Sequence, residues 1–229
     1  MGVHHLLSTI IGNALNRIFK AVGYNLIRDN YLGDWGTQYG KLMWAYKNWG
    51  DEAVVKKNPI PELLKLYVRF HEEMEKRPEL EDLGRAEFKK LEQGDVQSRA
   101  LWKWIVDISI EEFYKIWKRL DVEFDYIHGE SFYEDKMQEI IDMGIKKGIF
   151  VEGERGALIA PFSHEKYPPC IIRKSDGATL YATRDLARTK YWEDTWHPDL
   201  MIMVADTAQE LHFKQFFEAA YSKGAAYVA

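Results

Sequence analysis

A phenol and a carboxylate, on Tyr181 and Asp185, stand where a predicted strand passes into a predicted helix. Residues 173–187 begin as a basic strand, continue through a Ser-Asp-Gly turn and a short second strand, and end in a helix. The Thr183 hydroxyl is the expected N-cap of that helix, because threonine oxygens accept from free backbone N–H groups. In α/β proteins such junctions bind ligands, so Tyr181 and Asp185 are candidate binding residues.

Asp185 allows two interpretations. A buried carboxylate suits a guanidinium or an ammonium group, and a guanidinium is preferred where a planar bidentate pair can form. Alternatively, Asp185 pairs with Arg184 or Arg188 on its own helix. Spacing alone favours this second interpretation.

Two further junctions carry polar groups. His5, Ser8 and Thr9 lie near the start of a helix predicted over residues 6–22, and Gln209 follows a buried strand predicted over residues 200–205. Helix N-termini favour phosphate, because their free N–H groups and the macrodipole both attract an anion. These four side chains complete the set of candidate site residues.

The sequence gives little support for a metal site or for nucleophilic catalysis. The adjacent residues His4 and His5 would point about 100° apart on a helix and rarely share one ion, so we expect no metal site even with His212 in a later helix. The Gly-x-Ser-x-Gly elbow, the Rossmann Gly-x-Gly-x-x-Gly and the Walker motif are missing. Cys170 is the single cysteine, and we expect it to be a packed hydrophobe in a reducing cytoplasm.

Composition restricts the class of protein. With 229 residues and 46% hydrophobic content, the chain is expected to be globular. No apolar run approaches the roughly 20 residues that span a bilayer, so we expect no membrane partner. A net charge of −5 argues against nonspecific nucleic-acid binding by the whole surface.

The order of predicted elements indicates an α/β fold. We predict a Rossmann-like parallel sheet lacking its first strand, with an inserted mainly helical subdomain. The predicted domains are residues 1–50 as the first part of the Rossmann-like domain, 51–165 as the insertion with a small hairpin, and 166–229 as a truncated second part. A missing strand exposes a sheet edge, through which self-association is expected.

Three motifs resemble those of class I arginyl-tRNA synthetases. They occupy residues 30–40, 173–187 and 208–215, and the helices between them resemble that family's insertion, so the resemblance covers nearly the whole chain. The resemblance implies activation of arginine with ATP, assisted by Mg²⁺ at the phosphates, and transfer of arginine to tRNA. It implies that Tyr181, Asp185 and Gln209 bind arginine. It also implies that His5, Ser8 and Thr9 bind ATP and that His5 is the catalytic histidine.

The ATP signature departs from the family pattern. His-x-Gly-His becomes Gly2-Val3-His4-His5, so only His5 stays in place, and the Cβ of His4 is expected to crowd ATP. We therefore expect a catalytic-domain fragment or truncated relative, natural or engineered, that keeps its arginine pocket and has an impaired ATP site. Binding to tRNA is expected to be weak without an anticodon-binding domain. The alternative is a noncatalytic binding or assembly module built on a synthetase fold.

Overall fold

The computed structural model describes residues 2–221, which divide into two units. One unit is Ile27–Gly129, and the other contains the described residues of Met1–Leu26 and Glu130–Ala229. Both helices and strands are present, so the α/β prediction is confirmed at this level. The predicted domain boundaries at residues 50/51 and 165/166 stay predictions.

The Ile27–Gly129 unit is mainly helical. Its short strands pair in parallel, with Asp29 opposite Tyr126 and Asn30 opposite Ile127. Side chains define two helix starts. The Asp51 carboxylate accepts from the backbone of Ala53 and Val54 where the helix Glu52–Lys57 begins, and Asp95 caps the helix Val96–Arg119 in the same way. The elements are β1 (Asp29–Asn30), α2 (Thr37–Trp49), α3 (Glu52–Lys57), α4 (Pro59–Lys76), α5 (Glu79–Glu92), α6 (Val96–Arg119) and β2 (Tyr126–Ile127).

The core of this unit depends on close contact between α2 and α5. A Cβ placed on Gly40 would lie only 2.2 Å from the carbonyl oxygen of Gly84, so the two backbones meet where neither residue has a side chain. Trp35 packs edge-on against Phe88 and Trp102 beside this crossing, with ring centroids 5.4 Å apart in each pair.

The other unit contains α1 and a small antiparallel sheet. Its strands β3 (Val151–Glu152), β4 (Leu158–Ala160) and β5 (Cys170–Arg173) lie side by side in that order. The antiparallel pair of β3 and β4 confirms the small hairpin predicted within residues 51–165. The free cysteine, Cys170, is buried in β5, as predicted. The elements are α1 (Val3–Ala21), α7 (Met137–Lys146), β3 (Val151–Glu152), β4 (Leu158–Ala160), β5 (Cys170–Arg173), α8 (Tyr181–Trp196) and α9 (Glu210–Tyr221).

Two sequence predictions in this unit are wrong. Residues 200–205 do not form a strand but an irregular segment, and Val204 of this segment lies near Gly12 of α1. Thr183 is not the N-cap of α8, which begins at Tyr181 after Leu180. Instead Thr183 is buried, and its hydroxyl donates to the carbonyl of Ile172, which ties the first turn of α8 to β5.

Among residues 2–221, no helix combines the length and the apolar character that crossing a bilayer requires.

Candidate functional site

The turn between β5 and α8 forms as its sequence predicts. Gly177 has a φ of +88°, which suits a residue without a Cβ, and the Asp176 carboxylate accepts from the backbone N–H of Ala178. An isolated antiparallel bridge joins Arg173 to Thr179 across this turn. The chain thus leaves β5, turns back beside it, and enters α8 at Tyr181.

The first two turns of α8 present one exposed and one buried candidate residue. The Tyr181 side chain at the helix start is 53% exposed, whereas Asp185, one turn later, is 5% exposed. Arg184 between them forms ion pairs with Glu134 at 2.7 Å and Glu130 at 3.3 Å, so this arginine is directed away from Asp185.

Asp185 contacts two cationic or ionisable side chains. Its Oδ1 lies 2.9 Å from Arg188 Nη2, and its Oδ2 lies 2.6 Å from His212 Nε2 on α9. The Arg188 pair confirms the contact that helical spacing favoured. However, this ion pair is not a hydrogen bond. Oδ1 is a buried atom that accepts no hydrogen bond from any of the described residues. Because buried polar atoms are normally hydrogen-bonded, this oxygen marks a place for a donor.

His212 joins Tyr181 to Asp185. Its ring packs edge-on against the Tyr181 ring, with centroids 4.7 Å apart, while its Nε2 contacts the Asp185 carboxylate. Sequence reasoning considered His212 only as a metal ligand and missed this position. The available signal was its place in the 208–215 motif, three residues after Gln209.

Gln209 lies at the end of a 3-10 turn, Thr207–Gln209, immediately before α9. The Asp206 carboxylate caps this turn by accepting from the backbone of Ala208. The Gln209 side chain is exposed, one helical turn before His212. Gln209 therefore places a side-chain amide near the N-terminal end of α9, where His212 contacts α8.

The family of the chain follows from comparison with known proteins. A model of the family described as tRNA synthetases class I (R), catalytic domain, matches residues 1–229. The chain belongs to this family.

Relatives within the class I arginyl-tRNA synthetases are much longer than this chain. It is 54% identical over 213 residues to an arginine–tRNA ligase of an Exiguobacterium species and 50% identical over 216 residues to that of Clostridioides difficile. These alignments cover 93% and 94% of this chain but 38% of each relative. The chain therefore spans little more than a third of their length.

Solved structures of arginyl-tRNA synthetases resemble the same region. The enzyme from Plasmodium falciparum matches 98% of this chain and 38% of its own, with a TM-score of 0.76 and 26% identity. The Thermus thermophilus structure matches 84% of this chain and 33% of its own, with a TM-score of 0.62 and 20% identity, which shows the fold alone.

The candidate ATP residues on α1 have their described hydrogen bonds within the helix itself. His5 Nδ1 accepts from the backbone N–H of Gly2 at 3.0 Å, and the Thr9 hydroxyl donates to the carbonyl of His5 at 2.8 Å. Ser8 is half-buried on the same helix. The Thr9 proton is therefore used within the helix, whereas an imidazole that accepts at Nδ1 carries its proton on Nε2, so His5 keeps a donor of the kind that a phosphate requires.

The structure also offers no acidic cluster for Mg²⁺ in the part that it describes. Among these residues, no group of three or more His, Cys, Asp or Glu side chains is placed to hold a metal ion.

Proposed function

We propose that this chain supplies the arginine-binding part of an arginine–tRNA ligase catalytic domain, with Tyr181, Asp185 and Gln209 as the arginine contacts. The observation that carries the proposal is the buried Oδ1 of Asp185, which has no hydrogen-bond donor beside an exposed phenol. A guanidinium supplies planar N–H donors that match a carboxylate.

The existing contacts of Asp185 leave capacity for such a ligand. An ionised carboxylate accepts about four hydrogen bonds, and His212 uses one of these sites. Arg188 already pairs with Oδ1, so an incoming guanidinium would share this carboxylate with Arg188. Tyr181 lies at the open end of the same helix, where its hydroxyl is available to the amino acid.

For a protein of the relatives' full length, we propose the complete reaction on family membership alone. It comprises activation of arginine with ATP and Mg²⁺ and transfer to tRNA in the cytoplasm. The predicted Rossmann-like arrangement, with its first strand missing, belongs to the same proposal. His5, Ser8 and Thr9 on α1 are the residues proposed to bind ATP in that reaction, with His5 as the catalytic histidine.

Isothermal titration with arginine tests the proposed site. We expect measurable binding by the unmodified chain and at least tenfold weaker binding by Tyr181→Ala and Asp185→Asn. Asp194→Asn is the matched control, because Asp194 is an exposed acid on the same helix and forms an ion pair with Lys190. Circular dichroism checks that each variant is folded. Equal arginine affinity in all four proteins would refute the assignment.

The departure of Gly2-Val3-His4-His5 from the family's ATP signature favours a second candidate function, a noncatalytic binding or assembly module. This candidate predicts no binding of ATP in the presence of Mg²⁺ and no arginine-dependent exchange of pyrophosphate into ATP. Its predicted self-association through a sheet edge is tested by light scattering, which should then give a mass above 26.9 kDa.

A further inference from the structure

His212 is the one side chain, among those described, seen to contact both Tyr181 and Asp185. It lies on α9, whereas the other two lie on α8, so it acts from a separate element. Its side chain is 9% exposed and that of Asp185 is 7% exposed, which places their contact away from solvent.

We propose that His212 is a positioning residue that holds Tyr181 and Asp185 in the orientation that binds arginine. The inference rests on the proposed function, because it names the support of the same site. His212 acts through Tyr181 and Asp185 and does not contact the reacting atoms.

The hydrogen bond to Oδ2 fixes the direction of Oδ1. The terminal torsion of an aspartate is broad, so a carboxylate held at one oxygen by an ion pair alone can rotate. A donor on Oδ2 restricts this rotation, and the two oxygens turn together as one rigid plane. An ionised carboxylate only accepts, so the Nε2–H of His212 is the donor.

The ring of His212 restricts the phenol as well. Its edge-on contact with Tyr181 limits the orientations of a side chain that otherwise stands in solvent. Because Tyr181 and Asp185 are oriented before binding, these side chains lose less conformational entropy when arginine binds, so this support acts on arginine affinity.

The competing explanation is a purely structural histidine. The ring of His212 also stacks near Phe216, which is fully buried, with centroids 6.2 Å apart. A structural role predicts that substitutions change the free energy of unfolding without a selective change in arginine binding. The two roles therefore differ in a measurable way.

Two substitutions separate the hydrogen bond from the ring. His212→Gln places an amide donor near the position of Nε2, whereas His212→Phe keeps an aromatic ring without a donor. Phe216→Leu is the structural control, because it disturbs the packing around His212 and keeps both contacts. All three are compared with the unmodified chain by arginine titration and thermal unfolding.

We expect His212→Phe to weaken arginine binding about tenfold, His212→Gln to stay within about threefold, and Phe216→Leu to lower the unfolding temperature with unchanged affinity. Unchanged affinity in His212→Phe, or equal losses in the Phe and Gln variants, would overturn the inference while leaving the proposed function intact. Absence of arginine binding by the unmodified chain would overturn both.

Nitrogen NMR of the unmodified chain tests the contact and needs no substituted protein. The imidazole of His212 should carry its proton on Nε2. A neutral ring with its proton on Nδ1 would overturn the inference, because Nε2 could then not donate to Asp185.

Discussion

Asp185 and Arg188 form a buried ion pair across one turn of α8, with Oδ1 and Nη2 2.9 Å apart. Replacing Arg188 by methionine keeps much of its apolar stem but leaves the carboxylate without its cation. We expect Arg188→Met to lower the free energy of unfolding by about 3 kcal/mol, because a broken buried pair leaves an uncompensated charge. Urea unfolding followed by circular dichroism measures this change.

The exposed pair of Lys190 and Asp194 on the same helix is the control for that prediction. Asp194→Asn is expected to change the free energy of unfolding by less than about 0.5 kcal/mol, because surface ion pairs contribute little. Equal effects of the two substitutions would show that burial does not determine the strength of the Arg188 pair.

The crossing of α2 and α5 should not tolerate a side chain. Gly40→Ala places a methyl group 2.2 Å from a backbone oxygen of Gly84, and backbone cannot move aside as a flexible side chain can. We expect a loss of roughly 3 kcal/mol in urea unfolding. Gly33→Ala is the control, since a Cβ at Gly33 meets nothing within 4 Å. A loss below about 1 kcal/mol for Gly40→Ala would contradict this packing.

The existence of helices was easier to predict than their buried faces. Apolar spacing marks Leu63, Leu64, Tyr67 and Val68 as one face of a helix, and α4 is present. Leu63 is buried there, but Leu64 and Val68 are exposed. Leu66 and Phe70 complete the buried face. The spacing of apolar residues predicts a helix from local sequence alone. Which face of that helix is buried depends on where α2 and α5 lie.

Strands and site contacts were predicted less well for the same reason. The apolar run at residues 200–205 suits a buried strand, but a strand needs partners that are distant in sequence, and this segment is irregular. The proposed roles of Tyr181, Asp185 and Gln209 rest on motif resemblance. Their link through His212 depends on the packing of α8 against α9, which brings together residues 27 positions apart.

Glu87 should make stability depend on acid pH. Burial raises the pKa of this carboxyl, but hydrogen bonds from Lys47 and Lys90 and their charges outweigh burial, so its pKa is lowered. A lowered folded-state pKa gives stability that is complete above the ordinary glutamate value of about 4.3 and is lost as pH falls through the folded value. Glu87→Gln should therefore cost roughly 2 kcal/mol at pH 7 and much less near pH 3.

Urea unfolding at the two pH values measures this difference. Glu81→Gln is the control, because Glu81 lies on the same helix in an exposed ion pair with Arg85. A Glu87→Gln effect that is the same at pH 7 and pH 3 would show that the Glu87 charge does not stabilise the fold.

Cys170 should resist thiol reagents until the chain unfolds. Burial raises the pKa of its thiol to about 11, so little thiolate forms near neutral pH. We expect slow reaction with a disulfide reagent at pH 8 in the folded protein and rapid reaction of one thiol in concentrated urea. The Cys170→Ala variant provides the blank. Rapid modification of the folded chain would contradict the buried position of Cys170.

The most direct test of the proposed arginine site compares arginine with citrulline by isothermal titration. Citrulline has nearly the same shape, but its neutral urea group replaces the guanidinium that Asp185 is proposed to bind. We predict that arginine binds the unmodified chain at least tenfold more tightly than citrulline, and that Asp185→Asn removes most of this preference. Equal binding of the two amino acids, or no binding of either, would contradict the account.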